Sequence, residues 1–348
     1  MLTNISTIGL KKARLKRTHV GQVCRVCELV NCGTINWRFY SHPNQTKTMA
    51  QYLQTQIVDH NLLESVQETI EIYHQISNKY DKSRFHPHKR YIVGPTMVSH
   101  WRRLLKDNKD QFVLNLACGS GCDTWIFWKE FHEQVALTVG VDISPDMIDI
   151  ANHSKEEFEN RLGLTCGSMP VRFLVGDAFD LEGNDALNVL HSKQWDLVTA
   201  CYLLHYSANA TELEIMCRSV ATKVKEGGTF ITIAANPFLK QACVNEGQKR
   251  LGDYRSDFMT AREQGRSEMV DGDRFEVSID LNLNEEGQNE DHQVKLINHY
   301  FTAETYESCL KKAGFSTVAF HPLQTTCNYT GNEQDILQCS AIIIEATK

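Results

Sequence analysis

The sequence has no long apolar run, no hydrophobic signal core near its first residues, and neither internal repeats nor low-complexity linkers. A helix that spans a bilayer needs about 18 or more consecutive apolar residues, and this chain has no such run. We therefore expect a soluble protein with no membrane partner, and the missing signal core argues against secretion. Because no linker separates segments of different composition, the sequence gives the domain boundaries only approximately.

The net charge and the cysteine content further restrict the classes of protein that this sequence fits. The 348 residues carry a net charge of −7 with histidine neutral, which argues against a protein that wraps nucleic acid. The 12 cysteines are scattered along the chain, and Cys118, Cys201 and Cys217 fall within predicted core elements. A reducing, cytoplasmic environment is therefore expected. The length suits one α/β domain with additions.

The short apolar run Phe112–Ala117 and the turn after it organise the chain. The run contains β-forming residues and is followed by glycines, as in a buried strand of a parallel sheet. Gly119 and Gly121 let the backbone turn sharply and approach a ligand closely. A second apolar run, 136–141, ends at Asp142, where a carboxylate can accept from both hydroxyls of a ribose. These features together predict a nucleoside cofactor in a Rossmann-like fold.

The glycine pattern distinguishes two classes of cofactor. A dinucleotide site prefers a third glycine three residues after the second, and Thr124 stands there instead. The segment Leu-Ala-Cys-Gly-Ser-Gly at 116–121 resembles the first motif of class I S-adenosylmethionine (SAM) methyltransferases. Four later segments resemble the following motifs of that superfamily in the same order: 141–148, 173–178, 195–200 and 225–230.

This resemblance implies a fold, a cofactor and a set of contacts. The expected α/β fold is a Rossmann-like, seven-stranded, mostly parallel sheet with helices on both faces and one antiparallel closing strand. The expected cofactor is SAM, without a metal ion. Asp142 is expected to hold the ribose and Asp177 the adenine amino group. The residues expected to contact the cofactor are Tyr80, Arg90, Ala117, Gly119, Gly121, Asp142, Ile143, Met147, Asp177, Ala178 and Cys201.

Tyr80 and Arg90 are the candidates for the amino-acid end of the cofactor. An arginine can hold a carboxylate through two parallel hydrogen bonds, which suits Arg90 to this role. An ordinary surface ion pair is an equally good interpretation of Arg90.

Further segments are similar to the small-molecule methyltransferases related to the toxoflavin-pathway N-methyltransferase. They are Tyr80-Asp81, an RYxxxPT element at 90–96, and 200–206, and the similarity covers about residues 78–346. It implies that four residues line the acceptor side, where aromatic rings suit a flat or cationic substrate. These residues are Tyr202, Tyr206, Asn236 and Phe238.

His205 and its neighbour Tyr202 are the catalytic candidates. His205 stands where we expect asparagine in the toxoflavin-related family, and it follows the fourth predicted strand at the edge where ligands bind in such sheets. A histidine there could orient or deprotonate an acceptor hydroxyl or NH. Two other interpretations stay open: His205 only lines the pocket, or it is a buried structural histidine.

Residues 1–75 form a predicted extension ahead of a methyltransferase domain at 76–348. The basic residues from Lys11 to Arg17 suit a disordered tail, a targeting signal or a phosphate-binding arm. From Met49 to Tyr80, apolar residues at helical spacing predict one or two amphipathic helices. These helices would pack on the domain, form an oligomer interface or form a lid over the site.

Three cysteines in the extension have part of a zinc-binding pattern. Cys24, Cys27 and Cys32 form one C-x2-C-x4-C cluster, and no second pair follows. Because zinc needs a fourth ligand, incidental or buried thiols are the better interpretation.

An insertion at about 240–300 follows the fifth predicted strand. Within it, Gln241–Leu251 could be helical, whereas 274–283 and 293–301 predict an antiparallel β-hairpin. The hairpin would form a wall of the acceptor pocket or only decorate the sheet edge. The segment Thr302–Ala313 is a predicted helix with Thr302 as its cap.

The sequence therefore predicts a SAM-dependent methyltransferase. It would transfer the methyl group to a nitrogen or oxygen of a small molecule by in-line displacement, with assistance from His205 where the acceptor needs it. No nucleic-acid partner is expected, and no oligomeric state is predicted. Two alternatives stay open: a protein or RNA methyltransferase that uses the extension for recognition, and a non-catalytic SAM-binding protein.

Overall fold

The computed structural model describes residues 60–81, 88–191, 194–238, 249–251, 254–257, 259–280, 293–324 and 341–348. The predictions for the basic segment at 11–17 and for Cys24, Cys27 and Cys32 lie outside these ranges. Within these ranges, no helix combines the length and the apolar character needed to cross a bilayer.

The main sheet has seven strands in the order β10-β11-β5-β4-β1-β2-β3. Strand β11 pairs antiparallel with both β5 and β10, whereas the pairs among β1 to β5 are parallel. This arrangement confirms the predicted Rossmann-like sheet with one antiparallel closing strand. The strands are β1 Gln111–Leu116, β2 Val135–Asp142, β3 Val171–Val175, β4 Trp195–Cys201, β5 Val224–Ala235, β10 Thr317–His321 and β11 Ala341–Thr347.

Helices cover both faces of this sheet, as predicted. On one face, α6 and α8 pack against the sheet, and on the other face α2 and α3 do so. A π turn at Lys89–Val93 leads into α2, and a 3₁₀ turn at Leu204–Tyr206 follows β4. The helices are α1 His60–Tyr80, α2 Gly94–Leu105, α3 Cys122–Phe131, α4 Pro145–Arg161, α5 Asp185–Leu190, α6 Ala210–Lys223, α7 Met259–Glu263 and α8 Ala303–Lys312.

Polar residues cap several of these helices where the sequence changes from loop to apolar periodicity. Ser144 caps α4, accepting a hydrogen bond from the Met147 N–H ahead of Pro145 at the first helical position. Thr302 caps α8 through the Thr305 N–H, which confirms the predicted start of that helix. Such caps satisfy N–H groups that the first turn of a helix leaves without a partner.

A second, four-stranded antiparallel sheet lies in the insertion, in the order β6-β7-β8-β9. Strands β8 and β9 confirm the predicted hairpin, whereas β6 and β7 were not predicted. The helix predicted for 241–251 is wrong at 249–251, which belongs to β6, and the rest of that segment lies outside the described residues. The strands are β6 Lys249–Leu251, β7 Tyr254–Asp257, β8 Arg274–Asp280 and β9 Gln293–His299.

Helix α1 packs on the apolar face of this second sheet. Ile72, Tyr73 and Ile76 contact a cluster that includes Phe275 and Leu296. The helix runs through residue 75, and the domain boundary predicted there stays a prediction. This packing brings α1 next to the carboxyl edge of the main sheet, where the candidate site lies.

A buried carboxylate joins the C-terminal half of α4 to the loop before β3. Glu159 is fully buried and accepts from the N–H groups of Gly167 (2.8 Å) and Met169 (3.0 Å) and from Lys155 Nζ (3.2 Å). Burial opposes its charge, but these three donors lower the pKa of Glu159 below its usual value.

We expect Glu159→Ala to lower the free energy of unfolding by about 2–4 kcal/mol, because buried donors lose their acceptor. Urea unfolding at neutral pH measures this change. The difference from wild type should shrink as the pH falls through the lowered pKa of Glu159, where the carboxyl group gains its proton. Glu157→Ala is the control, since Glu157 is exposed on the same helix. An equal loss in both variants would contradict the expectation.

Candidate functional site

A cleft of about 760 Å³, including its open mouth, lies at the carboxyl edge of the main sheet. Ligands of open α/β sheets bind at this edge. Segments from β1, β2, β3 and β4 form one side, and α1 forms the other. The lining residues are Val66, Thr69, Tyr73, Tyr80, Leu116, Ala117, Gly119, Val141, Asp142, Ile143, Gly176, Asp177, Ala178, Phe179, Cys201, Tyr202, Leu203, Tyr206 and Met216.

The turn after β1 has the conformation that its glycines predict. Ala117, Gly119 and Gly121 have positive φ angles of 49°, 53° and 87°. A Cβ at Gly119 would meet nothing within 4 Å, whereas one at Gly121 would lie 2.8 Å from the ring of Phe173. Gly119 therefore presents bare backbone and open space to the cleft, and Gly121 is needed for packing.

The Asp142 carboxylate connects this turn to the end of β2. Its Oδ2 accepts from the Gly119 N–H at 2.7 Å and its Oδ1 from the Ser144 N–H at 2.9 Å. Burial raises the pKa of Asp142, although the backbone hydrogen bonds oppose this rise. A carboxylate held at the edge of the cleft beside open space at Gly119 fits a ribose diol.

Asp177 occupies the corresponding place after β3. Its Oδ1 accepts from the Phe179 N–H at 2.8 Å, and the residue lines the cleft beside Ile143 and Ala178. Burial raises the pKa of Asp177 to about 6. Two carboxylates separated by apolar residues suit the polar and flat parts of a nucleoside, so this cleft fits the predicted cofactor.

Tyr202 is held in a strained conformation at the end of β4. Its φ angle is +66°, in the left-handed region that bulky residues rarely adopt. The Tyr202 N–H donates to the Ile233 carbonyl (2.9 Å), and its hydroxyl lies 3.1 Å from Nε2 of His88. Strain of this kind is common at functional sites, where surrounding contacts keep it in place.

Helix α1 closes the cleft with tyrosines. The hydroxyls of Tyr73 and Tyr206 lie 2.5 Å apart, and the rings of Tyr73 and Tyr80 pack edge to face. Burial raises the pKa of Tyr73 and of Tyr80, so both phenols are neutral at physiological pH.

A second cleft of about 360 Å³ shares a wall with the first. Thr69, Tyr73 and Tyr206 line both clefts. The second cleft lies between α1, the 3₁₀ turn and β9. Its other lining residues are Glu68, Ile72, Leu296, Ile297 and His299.

His205 is buried beneath this shared wall and lines neither cleft. Its ring packs near the rings of Tyr202 and Tyr206, with centroids 5.8 Å and 5.1 Å away. Its Nδ1 has no hydrogen-bond partner among the described residues. Burial lowers the pKa of His205 to about 3, so the imidazole is neutral at physiological pH. Its catalytic role stays a prediction.

The structure brings most of the predicted site residues together at the first cleft. Tyr80, Asp142, Asp177, Cys201 and Tyr202 all line it, as do the others named above. The remaining predicted residues do not line either cleft. Gly121 and Met147 pack behind the first cleft, Arg90 and Phe238 are exposed, and Asn236 and His205 lie elsewhere.

Sequence reasoning did not assign Val66, Thr69 and Tyr73 to the first cleft, or Glu68 and His299 to the second cleft. The only signal for the α1 residues was the helical spacing of apolar residues, which predicted packing or a lid without naming contacts. His299 gave no signal, because it lies in a hairpin strand, β9, whose place against α1 cannot be read from spacing.

A protein-family model for the mRNA (guanine-N(7))-methyltransferase domain matches residues 73–268, more than half of the chain. The chain belongs to this family. It is a SAM-dependent methyltransferase, which confirms the predicted enzyme class and cofactor. The match is not to the toxoflavin-related family, and that finer prediction is not confirmed. No curated protein sequence matches the chain.

Two solved structures illustrate the fold likeness of this methyltransferase. A SAM-dependent methyltransferase from Clostridium acetobutylicum is 16% identical, with 79% of this chain and 98% of that chain covered and a TM-score of 0.49. The CcbJ methyltransferase from Streptomyces caelestis is 15% identical, with coverages of 73% and 88% and a TM-score of 0.47. We draw nothing about the acceptor from either likeness.

We expect Asp142→Ala to weaken binding of S-adenosylhomocysteine by about tenfold to a hundredfold, because a charged acceptor is lost. Calorimetric titration measures the affinity, with NAD as a ligand that should not bind. Asp146→Ala is the matched control, because Asp146 is partly exposed at the start of α4 and pairs with His74. Unchanged affinity in Asp142→Ala would remove Asp142 from the cofactor site.

The raised pKa of Asp177 predicts a pH-dependent affinity. An acid with a pKa of about 6 loses its charge below that pH, so S-adenosylhomocysteine should bind more weakly at about pH 5 than at about pH 7.5. Asp142 adds to this fall, and Asp177→Asn should therefore reduce the fall without abolishing it. Asp185→Asn, an exposed change on α5, is the control. An identical pH profile in Asp177→Asn and wild type would contradict the assignment.

Proposed function

We propose that this enzyme transfers the methyl group of SAM to an unprotonated ring nitrogen of a planar, purine-like small molecule. The observation that carries the proposal is the set of neutral side chains where the two clefts meet. Because these side chains are poor bases, they suit a nucleophile from which no proton has to be removed.

The first cleft supports a specific set of cofactor contacts. Asp142 would accept from the ribose hydroxyls and Asp177 from the adenine amino group, with Ile143, Ala178 and Phe179 along the flat face of the base. When bound there, SAM supplies an electrophilic methyl group on its sulfonium. The residues of the chain hold this group in line with the acceptor and exclude water.

The second cleft is the acceptor site in this proposal. It meets the first cleft at Thr69, Tyr73 and Tyr206, so a molecule bound there approaches the cofactor across the two tyrosines. Aromatic rings beside Ile72 and Leu296 suit a flat, largely apolar ring system.

No strong base lies among the described residues at this junction. The phenols of Tyr73 and Tyr80 are neutral, and burial lowers the pKa of His299 as it does that of His205. Histidines with lowered pKa values are weak bases. An acceptor hydroxyl or ammonium would have to lose a proton, whereas an aromatic ring nitrogen already has a free electron pair.

Glu68 has a different environment from the buried histidines. Its side chain is 58% exposed, and its Oε1 lies 3.7 Å from Nη2 of Arg274. A carboxylate at the solvent side of the second cleft suits holding an N–H group of the acceptor better than removing a proton at the junction. In this proposal His205 supports Tyr202 and Tyr206 from below and takes no proton.

The family match supports ring-nitrogen chemistry, because its description names guanine N7 as the methylated atom. The same match favours a second candidate function, methylation of the terminal guanine of an RNA. The net charge of −7 and the small second cleft favour a small molecule over an RNA.

A panel of acceptors tests the proposal, with transfer of labelled methyl from SAM as the readout. We expect transfer to GTP but not to 7-deazaguanosine triphosphate, which has a carbon in place of the ring nitrogen N7. We also expect no transfer to catechol, because a catechol hydroxyl must lose its proton. Transfer to catechol that rises with pH would contradict the proposal. Transfer to a guanine-capped oligonucleotide but not to GTP would favour the RNA candidate.

A further inference from the structure

The wall between the two clefts contains a pair of aromatic rings. Among the described residues, Thr69, Tyr73 and Tyr206 line both clefts, and none of the three is a carboxylate. The hydroxyls of Tyr73 and Tyr206 lie 2.5 Å apart, and their ring centroids are 6.3 Å apart with a tilt of 60° between the rings. The ring of Tyr80 packs edge to face on that of Tyr73. Two rings therefore lie where a methyl group would pass from one cleft to the other.

In the proposed function, a positive charge crosses this wall together with the methyl group. The electron pair of the acceptor's ring nitrogen forms the new bond to the methyl carbon, and the electron pair of the broken S–C bond stays on sulfur. The sulfonium becomes a neutral thioether and the acceptor ring becomes a cation, while no proton moves. In the transition state the charge is shared across the methyl group, so a group at the wall that attracts cations acts most strongly at that moment.

Neutral aromatic rings attract a cation without competing for the methyl group. The face of an aromatic ring has negative potential, and a cation within about 6 Å of the ring centre is attracted to it. Burial raises the pKa of Tyr73 well above its usual value, so its phenol keeps its proton. A protonated phenol is a poor nucleophile, whereas a carboxylate or a phenolate at the same place could itself be methylated.

The carboxylates around the clefts lie away from this wall. Asp142 and Asp177 accept from backbone N–H groups at the ends of β2 and β3, where they fit the nucleoside. Glu68 is 58% exposed on the solvent side of the second cleft, where water and salt screen its charge. The rings of Tyr73 and Tyr206 are therefore the groups best placed to act on the moving charge.

We infer that the rings of Tyr73 and Tyr206 stabilise the positive charge of the methyl donor as the methyl group passes between the clefts. Tyr73, which sequence reasoning did not assign to the site, is then a catalytic residue supplied by α1. The inference rests on the proposed function for the acceptor cleft. Its test uses the cofactor alone, because the sulfonium is charged before any acceptor binds.

Two forms of the cofactor that differ in charge test this inference. SAM carries the sulfonium, whereas S-adenosylhomocysteine is the neutral thioether without the methyl group. We expect Tyr73→Leu to weaken binding of SAM about threefold to tenfold more than binding of S-adenosylhomocysteine, because leucine fills space without attracting charge. Tyr73→Phe keeps the ring and should leave the ratio of the two affinities within about twofold of wild type. Calorimetric titration without an acceptor measures both affinities.

Gln75→Leu is the matched control, since Gln75 is exposed on α1 and lines neither cleft. Equal weakening of both ligands in Tyr73→Leu would overturn the inference, as would a ratio in Tyr73→Phe that falls as far as in Tyr73→Leu. If Tyr73→Leu fails to fold, 3,4,5-trifluorophenylalanine in place of Tyr73 keeps the ring but removes most of the negative potential of its face. The ratio should then fall relative to Tyr73→Phe, and an unchanged ratio would contradict the inference.

The panel of acceptors tests the proposed function separately. A reduced preference for SAM in Tyr73→Leu, together with transfer to catechol by wild type, would support the role of the rings and reject the ring-nitrogen acceptor. Transfer to GTP alone, together with an unchanged ratio of affinities in Tyr73→Leu, would support the acceptor and overturn the role of the rings.

Discussion

The Asp142 carboxylate is the constraint on which the site depends. It lies at the end of β2 and accepts from the N–H of Gly119, 23 residues earlier in the chain. This bond joins the turn after β1 to the turn after β2, and Asp142 lines the cleft between them. A buried carboxylate without such donors would destabilise the fold, and the hydrogen bonds that shape the turn favour its charged form. The proposed contact with a ribose depends on this charge.

In the proposed function, the neutral residues at the junction of the clefts favour acceptors from which no proton has to be removed. Rings and hydroxyls there can position an acceptor and exclude water, but the described groups are poorly suited to taking a proton. Methyl transfer to a nucleophile that is already unprotonated needs only alignment and desolvation, and both are properties of shape. The strained backbone of Tyr202 and the hydrogen-bonded pair Tyr73–Tyr206 are the features that fix this shape.

The sequence predicted the parts of the molecule that local patterns encode. The strand–glycine–helix segment, the acidic residues at the ends of β2 and β3, and the β8–β9 hairpin all depend on residues close together in the chain. The Tyr73–Tyr206 contact joins residues 133 positions apart, and no spacing rule brings them together. The exposure of Arg90 depends on a π turn, in which the usual helical period of about 3.6 residues does not hold. The burial of His205 could not be read either, because a position after a strand end does not tell whether a side chain turns toward the cleft or beneath its wall.

The family match and the two clefts have different extents along the chain. The match spans residues 73–268 and includes all residues that line the first cleft except Val66 and Thr69. Of the residues that line the second cleft, only Tyr73 and Tyr206 fall within it, since the others lie in α1 before residue 73 or in β9. The family match therefore covers most of the first cleft, which is the candidate cofactor site. The walls that would select the acceptor come from segments outside the match, which is why a small heterocycle and an RNA end must be distinguished on this chain itself.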